Sequence, residues 1–474
     1  MPSRTDATPW LLAAAGALIL AAAPAQYLGR QQDDLFYIIG AHSLAEGRYA
    51  LLTALGTPPL TDVTPGLPIL LTPLAWLAPD RMGLFQIFAA LLLAACPWAV
   101  WAWLKTKLGE TEALLGALVF ATSPLVLAQS GCVMSETPYT LLCLLFLSLL
   151  ERPKPSAAAP WILLAITQIR GAGLSLVPGA LPRSMRDRGW KETGRLLAPT
   201  AIGLLLWSYW SESRAGRVDN FSEWTISYQG RTWTEALMVP LDNVLFYLKA
   251  YGGCFLPHNW GRTSAGTWLG GVLAALSLWG AARKAKWDWT EPAVLSLGAA
   301  LGMHVFWGWQ YERYLLPLLP LILYTAADGL RKHARFLFGA MLACQIAFHV
   351  PHWLKPNHMS FPELAPAYGW LKENSTPQDG LASLLFVRDG FLSGLPATSI
   401  PDAADPAELS RKLKDRRVRW VLFQRVEVGL TRDHSSFLRR AVQDARARLA
   451  DPRFFRRAHS DHDYWFEIFE VRDR

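Results

Sequence analysis

Cysteine is scarce in this chain, and repetition is absent. Five cysteines, Cys96, Cys132, Cys143, Cys254 and Cys344, are scattered over 474 residues, and none forms a C-x-x-C pair. That spacing argues against a structural zinc site and makes buried free thiols the plain reading. Cys132 and Cys254 both fall near loops expected on the outer face, which leaves a disulfide between them open. The chain shows no internal repeat and no low-complexity segment. The missing repeat counts against a transporter assembled from duplicated halves.

What the chain has in quantity is apolar sequence. Hydrophobic residues make up 52%, and the mean hydropathy is +0.17. Apolar runs at 10–28, 85–104 and 141–150 with its flanks approach the ~20 residues needed to cross a bilayer. The 22 tryptophans suit membrane interfaces. The net charge of +8 is explained by basic cytoplasmic loops, so no nucleic-acid partner is expected. Near the start, Arg4 precedes an apolar run ending Ala-Ala-Ala-Pro-Ala, which mimics a secretory leader. The many later apolar runs predict an uncleaved first helix instead.

Lysine and arginine positions predict sidedness. Helices are expected at about 9–28, 82–104, 111–128 and 136–150. The apolar segment 157–181 carries Arg170-Gly171 at its middle and is followed by Arg183, Arg186, Arg188, Lys191 and Arg195. One span would leave that basic run outside. Two short helices hinged at Arg170 bring it inside, and the hairpin is the reading taken. Further helices are expected at about 196–210, 266–282, 291–309, 314–330 and 336–353.

The result is an all-α polytopic membrane domain over 1–353, with about eleven transmembrane helices. Its N-terminus is cytoplasmic, and every dense Lys/Arg cluster between spans lies on the cytoplasmic side. Two outer loops, 29–81 and 211–265, are too long to be mere connectors. The polar remainder, 354–474, reads as a small extracytoplasmic α/β domain. Its strands are expected at 382–387, 420–425 and 464–469. Asp405-Pro406-Ala407-Glu408 looks like a capped helix start, and 435–449 like an amphipathic helix.

Several polar residues sit where chemistry needs them. Asp33 and Asp34 follow the first helix, and adjacent carboxylates at a membrane edge are costly unless paired or used. Each disfavours ionisation of the other, and either can serve as a general base towards a hydroxyl. A solvated loop start is the plain alternative. Arg170 and Arg313 fall at outer ends of apolar helices, where their guanidinium forks can meet a lipid-borne phosphate. Snorkelling, or an ion pair with Glu312 or Glu136, explains them equally. Glu136 either meets sugar hydroxyls or stabilises the positive end of its helix. Lys249 reads as the exposed face of an interfacial helix, with His258 in the same loop. His304 reads as a core histidine, and Trp307, Trp309 and Tyr311 as an aromatic belt.

The order of these segments carries a resemblance. Asp33-Asp34-Leu35-Phe36-Tyr37, followed by Ala41, Leu44 and Gly47, resembles the first outer loop of GT-C membrane glycosyltransferases. The protein O-mannosyltransferase-like and aminoarabinose-transferase-like branch is the most similar. Thr64-Pro65-Gly66-Leu67-Pro68 is similar to the Pro-rich stretch that follows there, with Val63-Thr64 where Tyr-Pro is usual. Ser135-Glu136-Thr137, Thr167-Gln168-Ile169-Arg170-Gly171 and Glu312-Arg313-Tyr314-Leu315-Leu316-Pro317-Leu318-Leu319-Pro320 resemble further segments of the branch, the last its Arg-Tyr-x-x-Pro-x-x-Pro signature.

This resemblance implies inverting transfer of one sugar from a polyprenyl-phosphate donor. It implies Asp33 and Asp34 as catalytic residues and Arg170 and Arg313 as phosphate-binding residues. Tyr37, Glu136, Glu312 and Tyr314 would contact substrate. The acceptor is an unidentified lipid, glycan or protein. No metal or other cofactor is required, and membrane lipids are the remaining partners. A lipid-linked-sugar transporter and a non-catalytic scaffold of the same fold are the competing readings.

Overall fold

A computed structural model describes residues 7–23, 28–29, 32–152, 154, 156–215, 228, 232–256, 263–307, 309–348, 364–424, 444–461 and 466–472. Packing divides the chain into two units. The first comprises Met1–Ala25, Thr64–Leu70 and Ala78–His358, and the second Gln26–Val63, Leu71–Leu77 and Met359–Arg474.

The first unit is built from helices among its described residues. Its main helices are Thr8–Ala21, Met82–Lys105, Glu110–Thr122, Glu136–Leu150, Ala159–Ile169, Val177–Ala215, Trp233–Gly253, Ser264–Trp287, Pro292–Phe306, Leu319–Leu330 and Ala334–Phe348. Met82–Lys105 and Ser264–Trp287 are long and apolar enough to cross a membrane, and several shorter helices are equally apolar. Their outward faces carry Trp98, Leu91, Trp268, Leu278 and Trp279, all exposed. An apolar exterior this extensive is stable against lipid rather than water. Inside, Trp103, Phe120, Phe146 and Phe338 form a continuous core, with Trp103 edge-on to Tyr324 at 5.6 Å. Helices Trp233–Gly253, Ser264–Trp287 and Leu319–Leu330 approach through glycines. A Cβ on Gly280 would collide with the Thr325 carbonyl, and one on Gly270 with that of Leu248. Small residues allow this backbone contact where apolar burial gives no drive.

Charged groups gather at one end of this unit. Lys107 pairs with Glu151 at 2.6 Å and with Glu291 at 2.8 Å. Arg183 and Arg186 both reach Asp288, Arg283 reaches Asp328, and Arg335 reaches Glu112. These are the helix ends assigned to one side from the basic residues.

The second unit is built on a mixed five-stranded sheet of order β2-β1-β3-β5-β4. The strands are β1 Gly380–Ser383, β2 Ala397–Ser399, β3 Val418–Gln424, β4 Phe455–Ser460 and β5 Phe466–Val471. β2, β1 and β3 run parallel, while β3, β5 and β4 pair antiparallel. Alternation along β3 sends Val421 and Phe423 to one face and Trp420 and Leu422 to the other. Helix Pro406–Asp415 covers the first face with Leu409 and Leu413, and helix Ala365–Asn374 the second with Ala367 and Leu371. The first loop joins this sheet: Ala397 N–H donates to Thr53 at 2.8 Å, and Leu55 N–H donates to Ala397 at 2.9 Å.

The structure corrects several expectations. The segment 29–81 contains two helices, Asp33–Ala45 and Gly66–Leu77, and 26–63 packs with the tail. The segment 211–265 contains the 21-residue helix Trp233–Gly253, opened by a full Thr232–Glu235 capping box. Residues 111–128 break at the buried Ser123, where Pro124 restarts the chain as a short helix. The helix expected at 196–210 belongs to Val177–Ala215, which bends at Gly189 (φ 77°). In the tail, the run expected as strand 382–387 leaves the sheet at Ser383, and Phe386 opens a helix. Of the expected helix 435–449, residues 444–449 are helical and the rest lie outside the described residues, as does His258.

Candidate functional site

Three separate segments of the helical unit converge on one carboxylate. Glu136 opens helix Glu136–Leu150 and is fully buried. Helix Ala159–Ile169 ends at Arg170, whose extended backbone (φ −154°, ψ 125°) breaks the helix before the 3₁₀ turn Gly171–Leu176. That break is the hinge expected at Arg170. Its Nη1 lies 3.1 Å from Glu136 Oε1 and donates to Ser135 Oγ at 2.8 Å. Arg313, on the 3₁₀ turn Glu312–Leu318, brings its Nε to 3.1 Å from the same Glu136 oxygen. The Arg313 approach is a close charge contact rather than an aligned hydrogen bond.

Aromatic rings hold these guanidiniums. Arg170 lies over Tyr314 at 4.8 Å and Arg313 over Tyr311 at 4.4 Å, distances typical of cation–π contact. Tyr314 stacks on His304 at 5.4 Å, and His304 faces Tyr247 at 5.6 Å. The turn leading to Arg313 is pinned by Asn243. Its Nδ2 donates to Val305 and Trp307, and its Oδ1 accepts from Gln310. Gly66 packs where a Cβ would fall 2.5 Å from the Gln168 carbonyl, so the Pro-Gly segment braces the turn before Arg170.

The acidic pair belongs to the second unit. Asp33 and Asp34 form the first turn of helix Asp33–Ala45, where the helix dipole favours negative charge. Their environments differ. Asp34 is buried, its Oδ2 accepting from Gly29 N–H at 2.7 Å and its Oδ1 from Leu35 N–H at 3.0 Å. Asp33 is half-exposed. Tyr37 is buried within the same helix. Nearby, burial pushes the Tyr49 phenol well above its usual range, with Tyr37 and Asp62 adding to the shift. The protonated phenol donates to the Val63 carbonyl at 2.9 Å.

The structure therefore brings Glu136, Arg170, Arg313 and Tyr314 together, and places Asp33, Asp34 and Tyr37 on one helix. Glu312 stays exposed. Arg313 pairs with the distant Glu136, the second of the two partners considered for it. Sequence reading missed Tyr247 and Asn243, quoted Ser135 only as part of a matching segment, and assigned Tyr311 to an aromatic belt. Their role is visible only once residues far apart in the chain meet. The three-residue spacing of the Thr232–Glu235 capping box, which opens the helix carrying Asn243 and Tyr247, was the one local signal present.

Neither a family model nor a curated protein matches the chain. Solved structures do. ArnT from Cupriavidus metallidurans bound to undecaprenyl phosphate is similar at 13% identity, with a TM-score of 0.56 and 98% of each chain covered. The same protein in its apo state gives 14% identity and a TM-score of 0.54 over the same extent. The Archaeoglobus fulgidus oligosaccharyltransferase tethered with an acceptor peptide gives 11% identity and a TM-score of 0.54, covering 89% of this chain and 69% of that one. With a large helical unit and a smaller sheet-containing one, the chain has the GT-C-like fold of these solved structures.

Proposed function

We propose that the chain is an integral glycosyltransferase of the inner (plasma) membrane. It moves a sugar from a polyprenyl-phosphate donor to an acceptor hydroxyl at the outer face, with inversion at the anomeric carbon. The observation that carries this reading is the likeness along 98% of the chain to an enzyme whose structure holds undecaprenyl phosphate. The helical unit supports it with two arginines fixed on one buried carboxylate.

Sidedness follows from the charge distribution. Helix Glu136–Leu150 carries Glu136 at one end, and Glu151, paired with Lys107, just past the other. Fifteen residues of helix separate them by about 22 Å. With the Lys/Arg-rich end on the cytoplasmic side, the Glu136 end faces outward. About eleven spans, a cytoplasmic N-terminus and an outer tail domain complete the topology we assign.

In the reaction, the acceptor oxygen attacks the anomeric carbon while the bond from that carbon to the phosphate oxygen breaks. The bonding pair leaves on the phosphate, whose charge Arg170 and Arg313 stabilise. The hydroxyl proton goes to the Asp33 carboxylate. Asp34 shapes the loop that presents Asp33, and Tyr37, Glu136, Glu312 and Tyr314 contact or position substrate. The acceptor is a lipid, a glycan or a protein.

The test is donor turnover by purified protein offered a panel of polyprenyl-phosphate sugars, beside Asp33→Asn. Release of free carrier phosphate that disappears in the variant supports the transferase. Donor binding without turnover, unchanged by the variant, would leave a transporter or a scaffold.

A further inference from the structure

The tail domain carries a buried polar network that the proposed reaction does not use. Arg388 and Asp389, on helix Phe386–Ser393, are both buried. Arg388 Nε donates to Asp389 Oδ1 at 3.0 Å, Tyr368 Oη donates to the same oxygen at 2.8 Å, and Gln424 Nε2 donates to Asp389 Oδ2 at 2.5 Å. Arg388 Nη2 also donates to Gln424 Oε1. Burial works against the Arg388 charge, yet Asp389 and Tyr368 together outweigh it and raise the guanidinium pKa. Burial and Asp389 together raise the Tyr368 phenol, so it stays a donor. The guanidinium is thus locked from several sides.

The stem of that arginine touches the acidic loop. A Cβ on Gly29 would lie 2.8 Å from Arg388 Cγ and 3.2 Å from Cδ, and Gly29 has φ +84°, a conformation costly for other residues. The next link is Gly29 N–H, which donates to Asp34 Oδ2 at 2.7 Å. Asp34 is the neighbour of Asp33 in the first turn of the same helix. The chain of contacts therefore runs from strand β3 at Gln424 through Asp389, Arg388 and Gly29 to Asp34. A second tie, the pairing of Thr53 and Leu55 with Ala397, holds the far side of the loop to β2.

We infer that Arg388 is a positioning residue: the tail domain sets the geometry of the Asp33–Asp34 turn through the Arg388–Gly29 contact. This rests on the reading of Asp33 as the base. Locked side chains behind a reacting group fix its placement, and a misplacement of about 1 Å costs on the order of a hundredfold in rate.

The experiment combines amide hydrogen exchange of the full chain with turnover of a polyprenyl-phosphate sugar, in wild type, Arg388→Ala and Gly29→Ala. In both variants Gly29 and Leu35 amides exchange faster, while Val418–Gln424 stays protected. Turnover per enzyme falls by about a hundredfold with donor affinity unchanged. The double variant loses no more than either single one, because both cut the same link. If Arg388→Ala loosens the whole sheet, Gly29→Ala, which deletes no polar group of the Arg388–Asp389–Gln424 network and acts at the loop end of the contact, decides. Unchanged exchange at Gly29, or losses that multiply in the double variant, overturns the inference even where Asp33→Asn abolishes turnover. Accelerated exchange in a wild-type background that turns over no donor upholds the coupling and overturns the transferase reading instead.

Discussion

Arg313 Nε lies 3.1 Å from Glu136 Oε1, and solvent does not reach that carboxylate. Arg170 approaches the same oxygen at the same distance. A buried carboxylate holding two guanidiniums is strongly destabilising to remove, because charge is left in a poorly solvated site. Glu136→Ala should therefore lower stability by about 3 kcal/mol. Glu136→Gln, which keeps the shape and loses the charge, should cost less. Thermal unfolding in detergent reads both. An unchanged midpoint in Glu136→Ala would mean that the carboxylate contributes nothing to the architecture of this site.

Lysine cannot replace arginine at these positions if phosphate is their ligand. It keeps the charge and loses the planar fork. Arg313→Lys should weaken donor binding by about ten- to a hundredfold, the loss of one charge-assisted hydrogen bond of about 1.5–3 kcal/mol. Arg170→Lys should do less, since that side chain is 18% exposed against 6% for Arg313. Titration of the protein with a polyprenyl phosphate measures both. Equal affinity in wild type and Arg313→Lys would remove the phosphate role.

The individual members of this cluster were legible in the sequence, and an ion pair with Glu136 stood among the alternatives for both arginines, but their convergence on one carboxylate oxygen was not legible. Arg170-Gly171 inside an apolar run marks a helix break, because a fixed charge cannot stay at mid-span. Asp405-Pro406-Ala407-Glu408 marks a helix start, and the Asp405 carboxylate does accept from Glu408 N–H at 2.8 Å. Glu136, Arg170 and Arg313 come from segments with no local signal of contact. The same limit explains the acidic loop. Asp33–Ala45 and Gly66–Leu77 are too short to stand out as spans, and the second contains Pro73. Thr53 and Leu55 pair with Ala397 across more than 300 residues, which local periodicity does not encode. Three of the five tail strands were found to within a few residues, because short apolar runs mark strands covered on both faces, whereas β2 Ala397–Ser399 and β4 Phe455–Ser460, short or largely polar, were not expected.

Metal removal tests the charge balance of the proposed reaction. A donor with one phosphate presents a leaving group that two guanidiniums can stabilise. Turnover should then persist in excess chelator. Loss of activity restored only by added magnesium or manganese would show that a cation does the work assigned here to Arg170 and Arg313.

The two aspartates should separate cleanly on substitution. Asp34 spends both oxygens on backbone amides, those of Gly29 and Leu35, and is buried. Asp33 is half-exposed in the same helical turn. Asp33→Asn should lower turnover by about 10²–10⁴-fold, the range of a lost general base, while leaving the melting midpoint and donor affinity alone. Asp34→Asn removes a charged acceptor from a buried amide and should cost about 1.5–3 kcal/mol of loop stability. Its turnover should fall only as far as the Gly29 amide loses protection. Parallel measurements of melting, exchange and turnover on the two variants distinguish the roles. A fully stable Asp34→Asn that is less active than Asp33→Asn would exchange the assignments, making the buried residue the base and the accessible one its neighbour.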